Sequence, residues 1–332
     1  MRTRRLQNKI AESRFALTVT AAVCLFIWFI AGLAFTPSGW NMTEIINNPV
    51  SILRNNILIT IPSMTAATYL MVELNNTNAL IRIYSRMVSC TFLVMITMLT
   101  FQYTSIDAAI ITLCAVGFYT PLFHAYQDKL AAGRVYFAFL FMGIASIFFI
   151  QAIFFMPLML ILMATKIQAM SARSLTAAFL GILTPYWFMV GYYVATSSIE
   201  SMTEHFSDII RFGAIADLRI LSIQQIVSGI YLLLCALTGG IHYLRTRQQD
   251  RIRTQMLYES IIIVDSMAFI FLLLQPNLFE KLSGIIIVNT APLIAHFIAL
   301  TETKWTNILT ILLILLAVII TLFNLWMPSL TF

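Results

Sequence analysis

Apolar runs of about twenty residues recur along the whole chain, and they restrict what it can fold into more than any other feature. A helix needs about 20 predominantly apolar residues to cross the hydrocarbon core of a bilayer. Nine runs have this length, near residues 15–36, 57–74, 87–104, 106–126, 174–196, 220–243, 256–275, 279–299 and 305–326. No long polar block separates them. The pattern predicts an all-α integral membrane protein with a single polytopic domain over residues 1–332.

The composition agrees with this prediction. Hydrophobic residues make up 60% of the chain and charged residues 10%, and the mean hydropathy is +0.88. Soluble domains carry about 25% charged residues. The net charge of +6 does not indicate nucleic-acid binding, because the basic residues lie at the ends of apolar runs.

One stretch, Tyr136–Ala164, is too long for a single crossing, since one helix of this length would measure about 43 Å. Cytoplasmic loops collect Lys and Arg, so charge can decide. A hairpin here gives eleven crossings and places sixteen of the 20 basic residues inside, whereas a single helix places twelve inside. We therefore predict about 11 transmembrane helices (10–12), with the N-terminus in and the C-terminus out. The two arms are either short spans or a re-entrant hairpin.

This topology assigns the segments between the runs. The basic N-terminus, residues 1–14, and the basic loop 244–255 are predicted to be cytoplasmic. Residues 37–56 and 197–219 interleave apolar and polar residues, which predicts two amphipathic segments on the outer leaflet. The second segment carries Glu204, Asp208 and Arg211 on one polar face, at spacing i, i+4, i+7.

The sequence lacks the usual signatures of soluble enzyme chemistry. It contains no P-loop, nucleophile-elbow or zincin motif. Four cysteines lie inside apolar runs, without paired histidines nearby: Cys24, Cys90, Cys114 and Cys235. We therefore predict no disulfide framework, no metal site and no cofactor.

One short motif resembles a known family. The segment Arg173-Ser-Leu-Thr-Ala-Ala-Phe-Leu-Gly-Ile-Leu-Thr-Pro-Tyr-Trp-Phe188 follows the hydrophobic hairpin and opens a long span. In this position it resembles an uncharacterised family of polytopic inner-membrane proteins of Bacteroidota, a domain of unknown function. The late basic loop Arg245–Arg253 is also similar. The resemblance implies a bacterial cytoplasmic membrane and no particular activity.

Polar residues inside the spans are the first group of candidate functional residues. Asp265 lies about ten residues into its run, near the bilayer midplane, where a carboxylate costs about 2.5–3.5 kcal/mol on insertion scales. If it is ionised, His296 on the next span or a bound cation balances it; if it is protonated, it is a hydrogen-bond donor between helices. Asn289 and His296 share one face of their span, and Pro185 kinks another. For each of these residues, structural hydrogen bonding or packing is the ordinary explanation.

Outer acidic residues are the second group. Glu204, Asp208 and Arg211 are candidate catalytic residues, with Glu204 and Asp208 able to supply a general base, and Glu44 is a candidate substrate or cavity residue in the earlier outer segment. Membrane glycosyltransferases that use lipid-linked sugars usually present acidic residues in an early outer loop. This loop offers only Glu44, which argues against a close match to them.

Three functions remain open. The first is an enzyme, glycosyltransferase-like or polymerase-like, acting on lipid-linked glycan or lipid substrates at the outer leaflet. The second is a secondary transporter or flippase that uses Asp265 and His296. The third is a non-catalytic partner of an envelope assembly complex. The bilayer is the expected partner, with a lipid-linked substrate in the first case, and no nucleic acid in any of them.

Overall fold

The regular secondary structure is helical in the residues that the computed structural model of the chain describes, which are 6–34, 49–197, 199–213 and 215–326; no β-strand occurs in these ranges. The α-helices are α1 (Leu6–Ala11), α2 (Ala16–Ala34), α3 (Pro49–Asn78), α4 (Met87–Met98), α5 (Thr100–Thr104), α6 (Ile106–His124), α7 (Ala132–Phe148), α8 (Met156–Thr165), α9 (Ala172–Ala195), α10 (Ile199–Ser207), α11 (Ile223–Thr246), α12 (Ile252–Leu274), α13 (Phe279–Leu300) and α14 (Lys304–Trp326). Short 3₁₀ segments occupy Ile150–Phe155, Leu218–Ile220, Arg247–Gln249 and Pro276–Leu278.

Within the described ranges, six helices are long and apolar enough to cross a membrane, namely α6, α9, α11, α12, α13 and α14. Shorter apolar helices occupy Ala16–Ala31, Met87–Met98, Ala132–Phe148 and Ile150–Thr165. Many large apolar side chains face outward, including Trp187, Phe188 and Trp305. A bundle with such a surface requires lipid around it, so the chain is a membrane-embedded helical protein.

Helix α13 is the centre of the bundle. Every residue from Leu282 to Ala299 is buried, and α4, α6, α11 and α12 pack around it. Gly239 of α11 allows one of these close approaches, because a Cβ atom at this position would lie 2.5 Å from the carbonyl carbon of Leu293. Polar groups on α13 are therefore enclosed by protein rather than by lipid.

The loops divide between two ends of the bundle. At one end, Arg82 pairs with Asp250, Arg253 donates to the carbonyl of Phe123, and Lys166 pairs with Glu259. We call this the basic end; it is formed by the loops 79–86, 125–131, 166–171 and 247–251. The charge pattern predicts that all four loops lie inside. The structure places all four at the same end of the bundle, as this prediction requires. Which side of the membrane this end faces stays a prediction.

The hairpin turns at Phe149, where the backbone leaves the helical region. Its first arm is α7, and its second arm is Ile150–Phe155 followed by α8. At the turn, the Lys281 ammonium donates to the Phe148 carbonyl at 3.2 Å. Lys281 lies in the first turn of α13, at the end opposite the basic end. The chain returns to the basic end at Ile167, whose carbonyl accepts from the Gln127 backbone N–H. The two arms therefore run the length of the bundle rather than dipping into it.

Two other predicted elements differ in detail. The apolar run 87–104 is broken at Leu99 into α4 and α5. Residues 49–56 of the first outer segment form the opening turns of α3 and thus continue directly into the predicted span. Residues 37–48, Glu44 among them, and 327–332 lie outside the described residues.

The second outer segment contains α10, a short turn and the 3₁₀ segment Leu218–Ile220. Phe206 of α10 stacks on Tyr186 of α9, with ring centroids 5.6 Å apart. The apolar side of α10 therefore packs partly against the bundle.

Candidate functional site

Helix α13 carries a line of buried polar side chains, each bonded to a different neighbouring segment of the chain. Ser283 lies near the opposite end, Asn289 and Thr290 in the middle, and His296 at the basic end. The line spans 13 residues from Ser283 to His296, or about 20 Å along the helix. Buried polar groups in a membrane bundle are costly unless they are paired, so each partner matters.

Asp265 meets the middle of this line. It is the fourteenth of 23 residues in α12 and is 3% exposed. The Thr290 hydroxyl donates to both of its carboxyl oxygens at 3.3 Å, which is long for an O–H···O bond. Among the described residues, no cationic side chain pairs with Asp265. One weak bond does not balance a buried negative charge, so the geometry favours the neutral, protonated carboxyl.

Asn289 faces α6 instead. Its side-chain oxygen accepts a hydrogen bond of 2.5 Å from the Tyr119 hydroxyl, while its amide donates to Ile285 of its own helix. Tyr119 also lines an apolar cavity of about 50 Å³ between α6, α7 and the segment Ile150–Phe155. The Asn289 and Thr290 bonds together join α6, α12 and α13 at mid-height.

His296 is not the counter-ion of Asp265, contrary to the option that the sequence left open. It lies six residues beyond Thr290, about 9 Å along α13, and its Nε2 is 3.2 Å from Oδ2 of Asp250. Arg82 Nε lies 2.9 Å from the other oxygen, Oδ1. We call Arg82, Asp250 and His296 the basic-end triad. It joins the loop after α3, the loop before α12 and the end of α13.

Aromatic rings surround the imidazole of His296. Tyr243 and Tyr258 stack with centroids 4.5 Å apart, and both meet the His296 ring edge-on. The His242 ring centroid is 5.5 Å away. His296 Nδ1 is buried and makes no hydrogen bond within the described part of the chain.

Asp250, His242 and Arg82 were not among the residues that the sequence singled out. One signal was available: Asp250 is the only acidic residue in the basic loop Arg245–Arg253. An isolated carboxylate among arginines is ordinarily taken as a surface ion pair, whereas here its side chain is fully buried.

Gln102 fixes the other end of the polar line. Its amide nitrogen donates to Ser283 at 2.8 Å, and its oxygen accepts from Thr112 at 2.9 Å. Helices α6 and α13 approach each other closely here, because a Cβ on Gly284 would lie 2.0 Å from the Thr112 hydroxyl oxygen. All three polar side chains are thereby satisfied by one another.

Pro185 is a packing residue. Its ring lies against Gly143 of α7, where a Cβ atom would come within 3.1 Å of it. On the same face of α9, Gly181 approaches the carbonyl oxygen of Tyr136. These contacts pack Pro185 of α9 against α7. They indicate no ligand-binding role for Pro185.

The outer acidic residues do come together, but on the surface. Arg211 lies 3.0 Å from Asp208 and 4.0 Å from Glu204, and all three side chains are largely exposed. Partial burial lowers the pKa of the neighbouring His205; Asp208 opposes this shift and Lys281 adds to it. The cluster therefore has two carboxylates, one guanidinium and a histidine that is neutral at pH 7.

An apolar cleft of about 440 Å³ lies beside this cluster. It is lined by Phe154 of the hairpin, by Phe212 and Ile215 of the outer segment, and by the last turns of α12 from Met267 to Leu274 with the following Gln275. None of Glu204, Asp208 and Arg211 belongs to its lining, although Arg211 directly precedes Phe212. Within the described ranges, no group of three or more His, Cys, Asp or Glu residues is placed to hold a metal ion.

No family model, curated protein or solved structure matches this chain.

Proposed function

We propose that this protein is a proton-coupled secondary carrier in which Asp265 takes up and releases the proton. The observation that carries the proposal is the buried carboxyl of Asp265, whose described polar partner is the Thr290 hydroxyl alone. Ionisable residues inside a membrane bundle usually mark ion pathways or proton relays.

The surroundings of Asp265 favour a proton over a metal cation. Sodium sites need several oxygen ligands, and the Asn289 oxygen is already occupied by Tyr119. A proton requires only the carboxyl itself, and the Thr290 hydroxyl can donate to the charged form or accept from the neutral one.

The two ends of the polar line support alternating access. At the basic end, the triad closes the bundle through Asp250, which links two loops to α13. At the opposite end, Gln102 holds α5 and α6 to Ser283. Both closures consist of hydrogen bonds and ion pairs, which exchange partners more readily than packed apolar side chains. Carriers of this kind open one end while the other stays closed.

The test compares Asp265→Asn with Asp265→Leu in cells that depend on the chain, together with the control Ser266→Ala. Ser266 is the next residue on α12 and is exposed, with its hydroxyl bonded only within the helix. We expect Asp265→Asn to fold at normal yield and to lose function, since asparagine keeps the shape and cannot carry a proton. Full function of Asp265→Asn would eliminate proton coupling at this site.

A spectroscopic arm does not depend on the substrate. Infrared spectra of the purified protein at neutral pH should contain the carbonyl band of a protonated carboxylic acid, and Asp265→Asn should remove it. A spectrum without this band would mean that Asp265 is ionised and would overturn the assignment of the proton.

The second candidate function is an enzyme that acts on lipid-linked substrates at the end opposite the basic end. The cleft next to Phe212 favours it, because a prenyl chain would fit there with its phosphate at Arg211. Combined replacement Glu204→Gln, Asp208→Asn and Arg211→Gln should then cause a lipid-linked intermediate to accumulate in cells. Glu200→Gln, on the same helix, is the control. No accumulation with normally folded protein would dismiss this candidate.

The proposed location is a bacterial cytoplasmic membrane, crossed about eleven times, with the basic end in the cytoplasm. The positive-inside rule supports this orientation, since the four loops of the basic end carry six basic residues, namely Arg82, Arg86, Lys129, Lys166, Arg247 and Arg251. Kinship with the Bacteroidota family belongs to the same proposal and rests on the motif Arg173–Phe188.

A further inference from the structure

A second cavity lies at the basic end, between α1, α2, α4, α11, α13 and α14, with a volume of about 260 Å³. Along α4 its lining extends from Met87 to Met95, a depth of about 12 Å at the helical rise. A cavity of this volume and depth can hold part of one extended hydrocarbon chain.

The wall of this cavity is mostly apolar. Three of its lining residues carry hydroxyl groups, and each of these is engaged elsewhere. Thr20 donates to the Ala16 carbonyl, Thr91 to the Ala291 carbonyl and Tyr231 to the Leu313 carbonyl. The remaining lining is aliphatic or sulfur-containing. Cavities of this kind bind apolar groups and exclude water.

Basic residues flank the cavity where it reaches the end of the bundle. Lys9, Arg14 and Arg86 each lie within two residues of a lining residue; those lining residues are Ile10, Ala16 and Met87. The Ser85 hydroxyl donates to the Ala11 carbonyl at 2.7 Å and thereby holds the α1–α2 turn beside the start of α4. Glu12 lies in the same turn, which leaves a net charge of +2 among these four side chains.

We infer that this cavity is a binding site for an anionic phospholipid of the leaflet at the basic end. One acyl chain fills the apolar cavity, and the phosphate lies among Lys9, Arg14 and Arg86. Basic pockets between transmembrane helices bind anionic headgroups in this way. The inference is independent of proton coupling, because the cavity is lined by neither Asp265 nor the basic-end triad.

Helix α1 has a defined part in this site. Its Gln7 side-chain amide donates to the Ile298 carbonyl at 2.7 Å and to the Thr301 hydroxyl at 2.6 Å. The Gln7 backbone N–H donates to Asn307 Oδ1 of α14 at 3.1 Å, so α1 is held against the ends of α13 and α14. The helix thus forms one wall of the cavity through Ile10 and carries Lys9 on its exposed side. Bound lipid would in turn stabilise α1 against the bundle.

The test measures retained lipid by native mass spectrometry after reconstitution with equal amounts of phosphatidylglycerol and phosphatidylcholine. We expect one retained phosphatidylglycerol per wild-type chain. Arg14→Gln with Arg86→Gln should lower its retention about tenfold or more, since each basic residue near an anionic surface contributes on the order of a fivefold change. Arg173→Gln is the control, because it removes one charge from the same end on α9, which packs against α7.

Val94→Phe tests whether the cavity holds the acyl chain, because the larger side chain fills the cavity and the basic residues stay unchanged. It should abolish retention, with a thermal unfolding curve like that of wild type; Cys90→Leu, a smaller change, replaces it if Val94→Phe does not fold. Unchanged retention in the filled variant, equal loss in Arg173→Gln, or displacement of the lipid by inorganic phosphate would each overturn the inference.

Discussion

His296 Nε2 lies 3.2 Å from Oδ2 of Asp250, and both side chains are fully buried at the basic end. The second oxygen of Asp250 pairs with Arg82, whose side chain is one-third exposed. Asp250 is therefore a buried carboxylate whose charge is balanced mainly by one arginine. Removing this arginine leaves the carboxylate uncompensated, which is the costly way to break a buried pair.

We therefore expect Arg82→Met to destabilise the protein by about 2–3 kcal/mol, below the usual 3–5 kcal/mol for buried pairs because Arg82 is partly solvated. The double variant Arg82→Met with Asp250→Leu should recover part of this loss, since it removes the orphaned charge. Thermal unfolding in detergent measures both. Additive losses in the double variant would show that the pair is not energetically coupled.

Gly181 and Gly191 of α9 provide a matched pair for the packing of the hairpin. A Cβ at Gly181 would lie 2.5 Å from the Tyr136 carbonyl oxygen of α7, whereas nothing lies within 4 Å of a Cβ at Gly191. Gly181→Ala should destabilise by about 1–3 kcal/mol. Gly191→Ala should be neutral or slightly stabilising, because alanine favours helix. Equal effects on the unfolding temperature would contradict the close approach of α7 and α9.

Phe206 and Glu200 test α10. Phe206 stacks on Tyr186 and is 39% exposed, so we expect it to use both protein packing and the membrane surface. Phe206→Glu should lower the yield of folded protein more than Glu200→Ala, which changes an exposed side chain. Equal tolerance of the two variants would remove the interfacial role of this helix.

Cysteine labelling tests the orientation. The four native cysteines are all buried, so background labelling by an impermeant reagent should be low. In intact cells, Gln248→Cys at the basic end should stay unlabelled and Glu200→Cys on α10 should react. The reverse pattern would invert the topology, because the two sites lie at opposite ends of the bundle.

The sequence alone determined that the chain is a membrane-embedded helical bundle, because apolar runs of spanning length need no long-range information to recognise. It also indicated the break in the stretch Tyr136–Ala164, since one continuous helix there would exceed the bilayer thickness. Asp265 stood out for a similar local reason: a carboxylate inside an apolar run is costly wherever the helix packs.

The partners of the buried polar residues were decided only by the tertiary structure. Thr290 reaches Asp265 across 25 residues of sequence, and Asp250 reaches His296 across 46; both pairings depend on how α12 and the basic loop meet α13. Periodicity tells which face of a helix is polar and not which helix faces it. For that reason the sequence suggested His296 as a counter-ion of Asp265. In the folded chain, helix packing pairs His296 with Asp250, and Asp265 contacts the hydroxyl of Thr290.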